Sequence, residues 1–248
     1  MRHTVLRALC AALLLAFLPF CAFASDTEDV LAYDLPFLVN KDAPVTEDFV
    51  PANLVLLSEV LDPALVVTSA DQMAVREAAE ALETMLEAAK ADGITNWKVG
   101  TAYRTWKQQK AILDKRIKQY QTKNNWSRAK AKSAALRSVA EPGCSEHQLG
   151  LAFDMNVPGK TFKGTKQCTW LHEHCWEYGF IIRYQEGKES ITGYIAEAWH
   201  IRYVGLEHSL KIRDLGMCLE EYLESFPENT ESPWLVVEEI PLEDLLTS

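Results

Sequence analysis

The sequence predicts a single α+β domain, and two kinds of segment lead to this prediction. In the first kind, apolar residues recur at three- and four-residue spacing, which is typical of amphipathic helices. In the second kind, apolar and polar residues alternate, which is typical of strands that bury one face. The two kinds are mixed along the chain without a regular β-α-β repeat, which favours α+β over a parallel α/β sheet.

Composition and charge fit a globular protein that does not bind nucleic acid. The 248 residues are 48% hydrophobic and 24% charged, which is sufficient for a sizeable core. The formal net charge is −10, from 25 basic and 35 acidic residues. Because a phosphate backbone needs a basic protein surface, we expect no nucleic-acid ligand.

Residues 1–24 predict a secretory signal peptide. Arg2 and Arg7 precede an uncharged run over residues 8–23, and residues 22–24 form a small-x-small cleavage pattern. Cleavage would leave the mature protein outside the cytoplasm, either secreted, in a periplasm or on the cell-wall side. The alternative is an uncleaved membrane anchor. No later segment is apolar enough to cross a membrane, so we expect no span in the mature chain.

The rest of the chain divides into three parts. Residues 25–50 are acidic and interrupted by prolines, so we expect an irregular leader segment. The folded domain is predicted over residues 51–224. Residues 225–248 contain six acidic residues and no basic residue, which predicts an acidic C-terminal tail.

Four helices are predicted inside the domain. The first covers residues 71–91 and ends before Gly93. The second begins after an N-cap at Thr105 and continues to about Tyr120, and the third covers about residues 127–139. The fourth is expected over residues 169–178.

Four short strands are predicted over residues 98–103, 151–157, 180–183 and 199–203. The second and the fourth alternate most regularly. Asp154 and His200 each lie on the polar face of one of these strands, opposite the residues expected in the core. A polar residue in that position is free to line a cleft.

Four cysteines would remain after signal cleavage, and an exported chain with four cysteines favours two disulfides. They are Cys144, Cys168, Cys175 and Cys218. A bridge between Cys168 and Cys175 is disfavoured, because seven residues on one helix span about 10 Å. The remaining pairings stay open.

Two segments carry the residues that predict chemistry. His147 and Asp154 lie in residues 145–154, while Glu197 and His200 lie in residues 197–202. Two imidazoles and two carboxylates are the ligand types that a catalytic zinc ion prefers. Glu197 lies three residues before His200, on the wrong face of an ideal strand. A bend or bulge near Ala198 is therefore required if both act at one site.

These segments resemble the zinc D-alanyl-D-alanine carboxypeptidases of the VanY type. The pattern Ser-x-His-x-x-Gly-x-x-x-Asp occupies residues 145–154, and Glu-x-Trp-His occupies residues 197–200. Supporting motifs follow the family's order over about residues 36–224. They are Leu38-Val39-Asn40-Lys41, Tyr103-Arg104, Gln109, Pro142-Gly143, Tyr178-Gly179-Phe180-Ile181-Ile182-Arg183-Tyr184, Ile191-Thr192-Gly193-Tyr194 and Arg202-Tyr203-Val204-Gly205. The resemblance implies a small antiparallel sheet flanked by helices, the zinc peptidase fold shared with D-Ala-D-Ala peptidases and the Hedgehog signalling domain.

The resemblance also implies an activity and a role for each site residue. The activity is removal of the C-terminal D-Ala from peptidoglycan stem peptides, with one zinc ion per chain. The metal ligands would be His147, Asp154 and His200. Glu197 would be the general base for a zinc-bound water, and Arg104 would stabilise charge on the scissile carbonyl. Ser145 and Gln109 would lie beside the substrate's terminal carboxylate or carbonyl.

Several alternatives stay open. Within the same fold, the enzyme could be an L,D-carboxypeptidase or an endopeptidase that cuts crosslinks. A non-catalytic cell-wall-binding module is disfavoured because Glu197 and all three ligands are present. A second metal site formed by Cys168, His172, His174 and Cys175 is less favoured than the pairing of these cysteines in the expected disulfides. His208 is expected on the surface.

Overall fold

The computed structural model describes residues 36–62, 65–67, 69, 71–156 and 161–226. The predicted signal peptide and almost all of the predicted acidic tail lie outside these residues, as does the first part of the leader. Within the described ranges, no helix combines the length and apolar character needed to cross a bilayer.

The described residues form seven short strands. In chain order they are β1 (Leu54–Leu56), β2 (Val66–Val67), β3 (Met73–Val75), β4 (Lys98–Thr101), β5 (Ala152–Met155), β6 (Phe180–Ile182) and β7 (His200–Tyr203). Five of them make one sheet in the order β2-β4-β5-β7-β6, in which only the edge pair β2–β4 is parallel. β1 and β3 form a separate antiparallel pair. The predicted small, mainly antiparallel sheet is confirmed.

Helices surround this sheet. In chain order the described helices are α1 (Arg76–Ala91), α2 (Trp106–Asn124), α3 (Arg128–Ala135), α4 (Lys166–His174), α5 (Glu189–Thr192), α6 (Leu206–Leu215) and α7 (Leu219–Glu224). Single 3₁₀ turns cover Leu57–Glu59, Glu146–Leu149 and Cys175–Tyr178. The α+β class predicted from the sequence is therefore correct.

The main core lies between the sheet and α1. On α1, the buried residues Ala78, Leu82, Met85 and Ala89 follow the predicted three- and four-residue spacing. They belong to the same buried cluster as Phe153 on β5 and residues of β4, β6 and β7. This packing fixes the sheet, so the strands that carry the site residues rest on a rigid layer.

A capping box fixes the start of α2 beside the site. The Thr105 hydroxyl accepts from the Gln108 N–H at 3.2 Å, while the Gln108 side-chain oxygen accepts from the Thr105 N–H at 2.8 Å. The predicted N-cap is therefore confirmed. Because α2 begins at Trp106, Arg104 lies just before the helix and Gln109 lies in its first turns.

Two predicted helix bounds are wrong for physical reasons. Residues 73–75, predicted as the start of the first helix, instead pair with β1 as strand β3, so α1 begins at Arg76. The predicted helix over residues 169–178 begins earlier, at Lys166, because the Thr165 side chain caps it. It then tightens into a 3₁₀ turn from Cys175.

The disulfide prediction is also wrong. The four cysteines Cys144, Cys168, Cys175 and Cys218 are all free and buried. They serve different parts of the structure: Cys168 and Cys175 pack in the main core, whereas Cys218 is the N-cap residue of α7. Burial raises the pKa of the Cys218 thiol to about 11, which favours the protonated form.

His208 is buried rather than exposed, contrary to expectation. It lies on α6 with 6% of its surface accessible, and its Nδ1 lies 2.8 Å from the Tyr222 hydroxyl on α7. The α6–α7 contact therefore uses His208 as a packing residue. No helix was predicted over residues 219–224, so the element that covers His208 was missed.

Candidate metal centre and active site

Two neighbouring strands bring the distant sequence segments together. β5 and β7 pair antiparallel, and their register places Asp154 directly opposite His200. Their side chains meet, with the His200 Nδ1 and the Asp154 Oδ1 3.2 Å apart. All four residues of β5 are buried, so the face that carries Asp154 is covered by other parts of the site rather than by solvent.

His147 reaches the same point from the 3₁₀ turn that precedes β5. The turn ends at Gly150, whose φ of +66° is readily adopted by glycine. A Cβ there would also lie 3.2 Å from the Val75 nitrogen. This tight turn holds the His147 ring beside Ala102, where the Nδ1–H donates to the carbonyl oxygen at 2.7 Å. The other ring nitrogen, Nε2, is therefore unprotonated and faces Asp154 Oδ2 at 3.5 Å.

The three side chains form a compact group of possible metal ligands. One donor atom from each of His147, Asp154 and His200 lies within 4.8 Å of the others, and all three residues are buried. The imidazole rings are perpendicular, with centroids 4.9 Å apart. The structure thus brings together the three residues that were predicted as metal ligands, and their role as ligands stays a prediction.

The group fits zinc. Bonds of about 2.1 Å at tetrahedral angles place neighbouring ligand atoms about 3.4 Å apart. The separations of 3.2 Å and 3.5 Å between the imidazole nitrogens and the carboxylate oxygens match that spacing. Two imidazoles and one carboxylate also form a ligand set found in catalytic zinc sites with an open position.

The second nitrogen of His200 faces a buried carboxylate. His200 Nε2 and Glu146 Oε2 are 3.6 Å apart, and both are buried without a hydrogen-bond partner among the described residues. If Nδ1 binds a metal, the ring proton must sit on Nε2, opposite this carboxylate. A carboxylate behind a metal-bound histidine fixes its tautomer and orientation.

Glu146 belongs to a network of buried charges. Its Oε1 accepts from Arg183 Nε at 2.7 Å and from Arg202 Nη1 at 2.9 Å. Arg183 also makes two hydrogen bonds to Glu220, at 2.6 and 2.8 Å. Burial would raise the pKa of Glu146, but the charges of the two arginines outweigh it and hold that pKa below its usual range.

Charges around the ligands set their protonation. Burial, assisted by the Arg104 charge, lowers the pKa of His147 to about 4, so this ring is neutral and able to ligate. Burial also lowers the pKa of His200, but its contacts with Asp154 and Glu146 outweigh this and raise it to about 9. His200 thus lies in a strongly negative environment, which a bound cation would neutralise.

Glu197 lies beside the ligand group, just outside β7. The chain turns at residues 198–199, and the Glu197 carbonyl accepts from the His200 N–H at 3.2 Å. The bend predicted near Ala198 is therefore present. Glu197 Oε2 lies 3.9 Å from His200 Nδ1, and its side chain is 12% exposed. Burial raises the pKa of Glu197 to about 7.

Arg104 is held beside Asp154 by two hydrogen bonds. Its Nη2 donates to Asp154 Oδ2 at 3.1 Å, and its Nη1 donates to the Gln109 side-chain oxygen at 2.8 Å. The Gln109 Nε2 donates to the Ala140 carbonyl at 2.8 Å. Gln109 is thus already engaged with Arg104 and the backbone. The Ser145 hydroxyl makes no hydrogen bond within the described residues.

A cleft of about 1280 Å³ opens above these residues. All seven predicted site residues line it: Arg104, Gln109, Ser145, His147, Asp154, Glu197 and His200. The cleft is also lined by residues that the sequence prediction did not assign to the site, among them Arg116, Tyr184 and Tyr194. Tyr184 follows β6 and packs on His200 at 5.0 Å between ring centroids.

Comparison with known proteins agrees with this site. The sequence model for VanY, the D-alanyl-D-alanine carboxypeptidase family, matches residues 72–206. The chain belongs to the VanY family. A D-alanyl-D-alanine carboxypeptidase of Enterococcus faecalis (strain ATCC 700802 / V583) is 45% identical over 142 residues. That alignment covers 57% of this chain and 52% of the relative, so the chain spans about half the length of that VanY relative.

Solved structures share the fold. VanYB in complex with D-alanine-D-alanine has a TM-score of 0.65 at 38% identity, covering 76% of this chain and 97% of that one. A VanY variant in complex with Zn(II) has a TM-score of 0.64 at 38% identity, covering 75% and 97%. The LD-carboxypeptidase LdcB has a TM-score of 0.64 at 34% identity, covering 75% and 84%. The VanY-type zinc peptidase fold of this chain is thus shown.

The sequence analysis missed the buried support of the site. Arg202, two residues after His200 on β7, was assigned no role from the sequence, but it is fully buried and bonded to Glu146. Glu146 itself lies inside the recognised motif, next to His147. The signal available in the sequence was a charged residue, Glu146, between two buried positions. Only the folded structure shows which charged side chains lie together.

Proposed function

We propose that this chain is a zinc-dependent carboxypeptidase that removes the C-terminal D-Ala from peptidoglycan stem peptides. The observation that carries the proposal is the buried group of His147, Asp154 and His200, open to a cleft and flanked by Glu197. Membership of the VanY family supports the substrate class. The predicted signal peptide supports action outside the cytoplasm, where this substrate lies.

Zinc held by the three ligands would polarise the scissile carbonyl and lower the pKa of a water in its open position to about 7. The chain itself supplies the proton transfer. The Glu197 carboxylate can take a proton from the attacking water and deliver it to the nitrogen of the leaving residue. Its pKa of about 7, raised by burial, suits both the accepting and the donating step near neutral pH.

Arg104 provides a fixed positive charge for the developing oxyanion. Its two hydrogen bonds, to Gln109 and Asp154, hold the guanidinium at the edge of the cleft with 15% of the side chain exposed. A preorganised charge of this kind stabilises the transition state without the cost of reorganisation. Gln109 then acts by positioning Arg104, and the unengaged Ser145 hydroxyl is available to donate to the substrate.

Incubation with synthetic stem peptides tests the proposal. We expect release of D-Ala from a pentapeptide that ends in D-Ala-D-Ala, loss of activity with a chelator, and recovery with zinc. Release of D-Ala from a tetrapeptide but not from the pentapeptide would instead favour the L,D-carboxypeptidase alternative. The similarity to the LD-carboxypeptidase LdcB is the reason to include this substrate. Binding of the peptide without any release would favour a non-catalytic wall-binding module.

A further inference from the structure

Among the described residues that line the cleft, one cationic side chain is not paired with an acidic residue. Among the described residues, the arginines and lysines that line it are Arg104, Arg116 and Lys163. Arg104 bonds to Asp154, and Lys163 forms an ion pair with Glu186. Arg116 makes no hydrogen bond or ion pair with any described residue, although its side chain is only partly exposed.

Arg116 lies on the face of α2 that forms one wall of the cleft. Gln109, Ile112, Arg116 and Tyr120 all line the cleft and are separated by three, four and four residues. Arg116 is seven residues beyond Gln109, about 10 Å along the helix axis. Because helical side chains tilt towards the N-terminus, we expect the guanidinium to extend back along the cleft towards Gln109.

Arg116 and Glu197 line the same cleft, so Arg116 lies in the wall of the space that contains the proposed general base. By contrast, Lys118 on the same helix is exposed and does not line the cleft above the metal centre.

We propose that Arg116 binds a free carboxylate of the peptide substrate; this inference rests on the proposed carboxypeptidase function. A guanidinium matches a carboxylate with two parallel hydrogen bonds, which gives both affinity and orientation. Two carboxylates are available in such a peptide. One is the C-terminal carboxylate of the residue to be released, and the other belongs to an acidic residue upstream of the scissile bond.

Kinetics with four matched peptides test the proposal and separate the two sources. Each peptide ends in D-Ala-D-Ala; the C-terminus is either a free acid or an amide, and an upstream acidic residue is either free or amidated. The kcat/KM is measured for the zinc-loaded wild type, Arg116→Met, Arg116→Lys and the control Lys118→Met. The control removes one positive charge from the same helix without touching the cleft.

We expect Arg116→Met to lower kcat/KM about tenfold or more on peptides that keep the bound carboxylate. The same substitution should have no effect on peptides in which that carboxylate is amidated. Arg116→Lys should recover part of the loss, and Lys118→Met should behave as wild type. The peptide position at which amidation removes the effect identifies the carboxylate.

An equal loss on all four peptides would overturn the proposal, because a merely structural role does not depend on the substrate's charge. So would an unchanged kcat/KM on all four. If the wild type cleaves none of them, the proposed function fails and this inference fails with it. If the wild type cleaves the peptides and Arg116→Met leaves kcat/KM unchanged, only the role of Arg116 is refuted.

Discussion

Replacing Glu146 with glutamine removes the carboxylate behind His200 while keeping the size of the side chain. In the wild type, Oε1 accepts hydrogen bonds from Arg183 and Arg202, and Oε2 faces His200 Nε2 at 3.6 Å. A glutamine has a single oxygen acceptor. If this oxygen stays with the two arginines, the amide N–H₂ must point at His200. If the His200 ring binds zinc through Nδ1, its Nε2–H then faces the amide N–H₂ donor instead of a hydrogen-bond acceptor.

The expected loss can be estimated from similar contacts. Removing the hydrogen-bond partner of a metal-bound ligand typically lowers metal affinity about 10- to 100-fold. This corresponds to about 1.4 to 2.8 kcal/mol of binding free energy. The zinc-free protein should also lose about 3 to 5 kcal/mol of unfolding free energy, because buried guanidinium groups lose a charged partner.

The matched control is Glu220→Gln. Glu220 bonds to Arg183 in the same buried network, and no contact joins it to His200. Zinc affinity is measured by competition with a chromophoric chelator, and stability by urea unfolding of the zinc-free protein. We expect both variants to be less stable and only Glu146→Gln to bind zinc more weakly. Wild-type zinc affinity in Glu146→Gln, or an equal loss in Glu220→Gln, would refute the assigned role.

Three further predictions follow from the structure. Glu197→Gln should keep its zinc, measured by elemental analysis, but lose about 10² to 10⁴ in kcat, because no group remains to move the proton; turnover near the wild-type rate would show that another residue is the base. The four buried cysteines of the domain should resist a thiol reagent in the native state and react after denaturation, as located by mass spectrometry; a disulfide-linked peptide would contradict the buried thiols. Leu82→Ala should lower the unfolding free energy, measured in urea, by about 2 to 5 kcal/mol, because Leu82 is fully buried under the sheet. A loss below about 1 kcal/mol would contradict its central place in the core.

Local patterns in the sequence were sufficient for several element positions, whereas the ligand set was predicted from the family resemblance. The alternation around Asp154 and His200 predicted two strands, and β5 and β7 confirm both. The N-cap at Thr105 was predicted from residue type, and the capping box confirms it. These predictions succeeded because each depends on neighbours within a few residues along the chain.

Features that depend on long-range contacts were missed. Val75 belongs to a strand because β1, about twenty residues earlier, pairs with it, and this overrides the helical periodicity that follows. His208 is covered by Tyr222 of α7, a helix that was not predicted from the sequence. The ion network of Glu146, Arg183 and Arg202 joins three separate segments, so only the folded chain shows that these charged side chains meet.

The central claim is that His147, Asp154 and His200 together hold one zinc ion. Anomalous X-ray scattering at the zinc edge, from crystals of the protein purified without added chelator, tests it most directly. The account predicts a single strong peak per chain, about 2.0 to 2.2 Å from one atom of each of the three side chains. A peak bound elsewhere, or none after zinc is supplied, would contradict it.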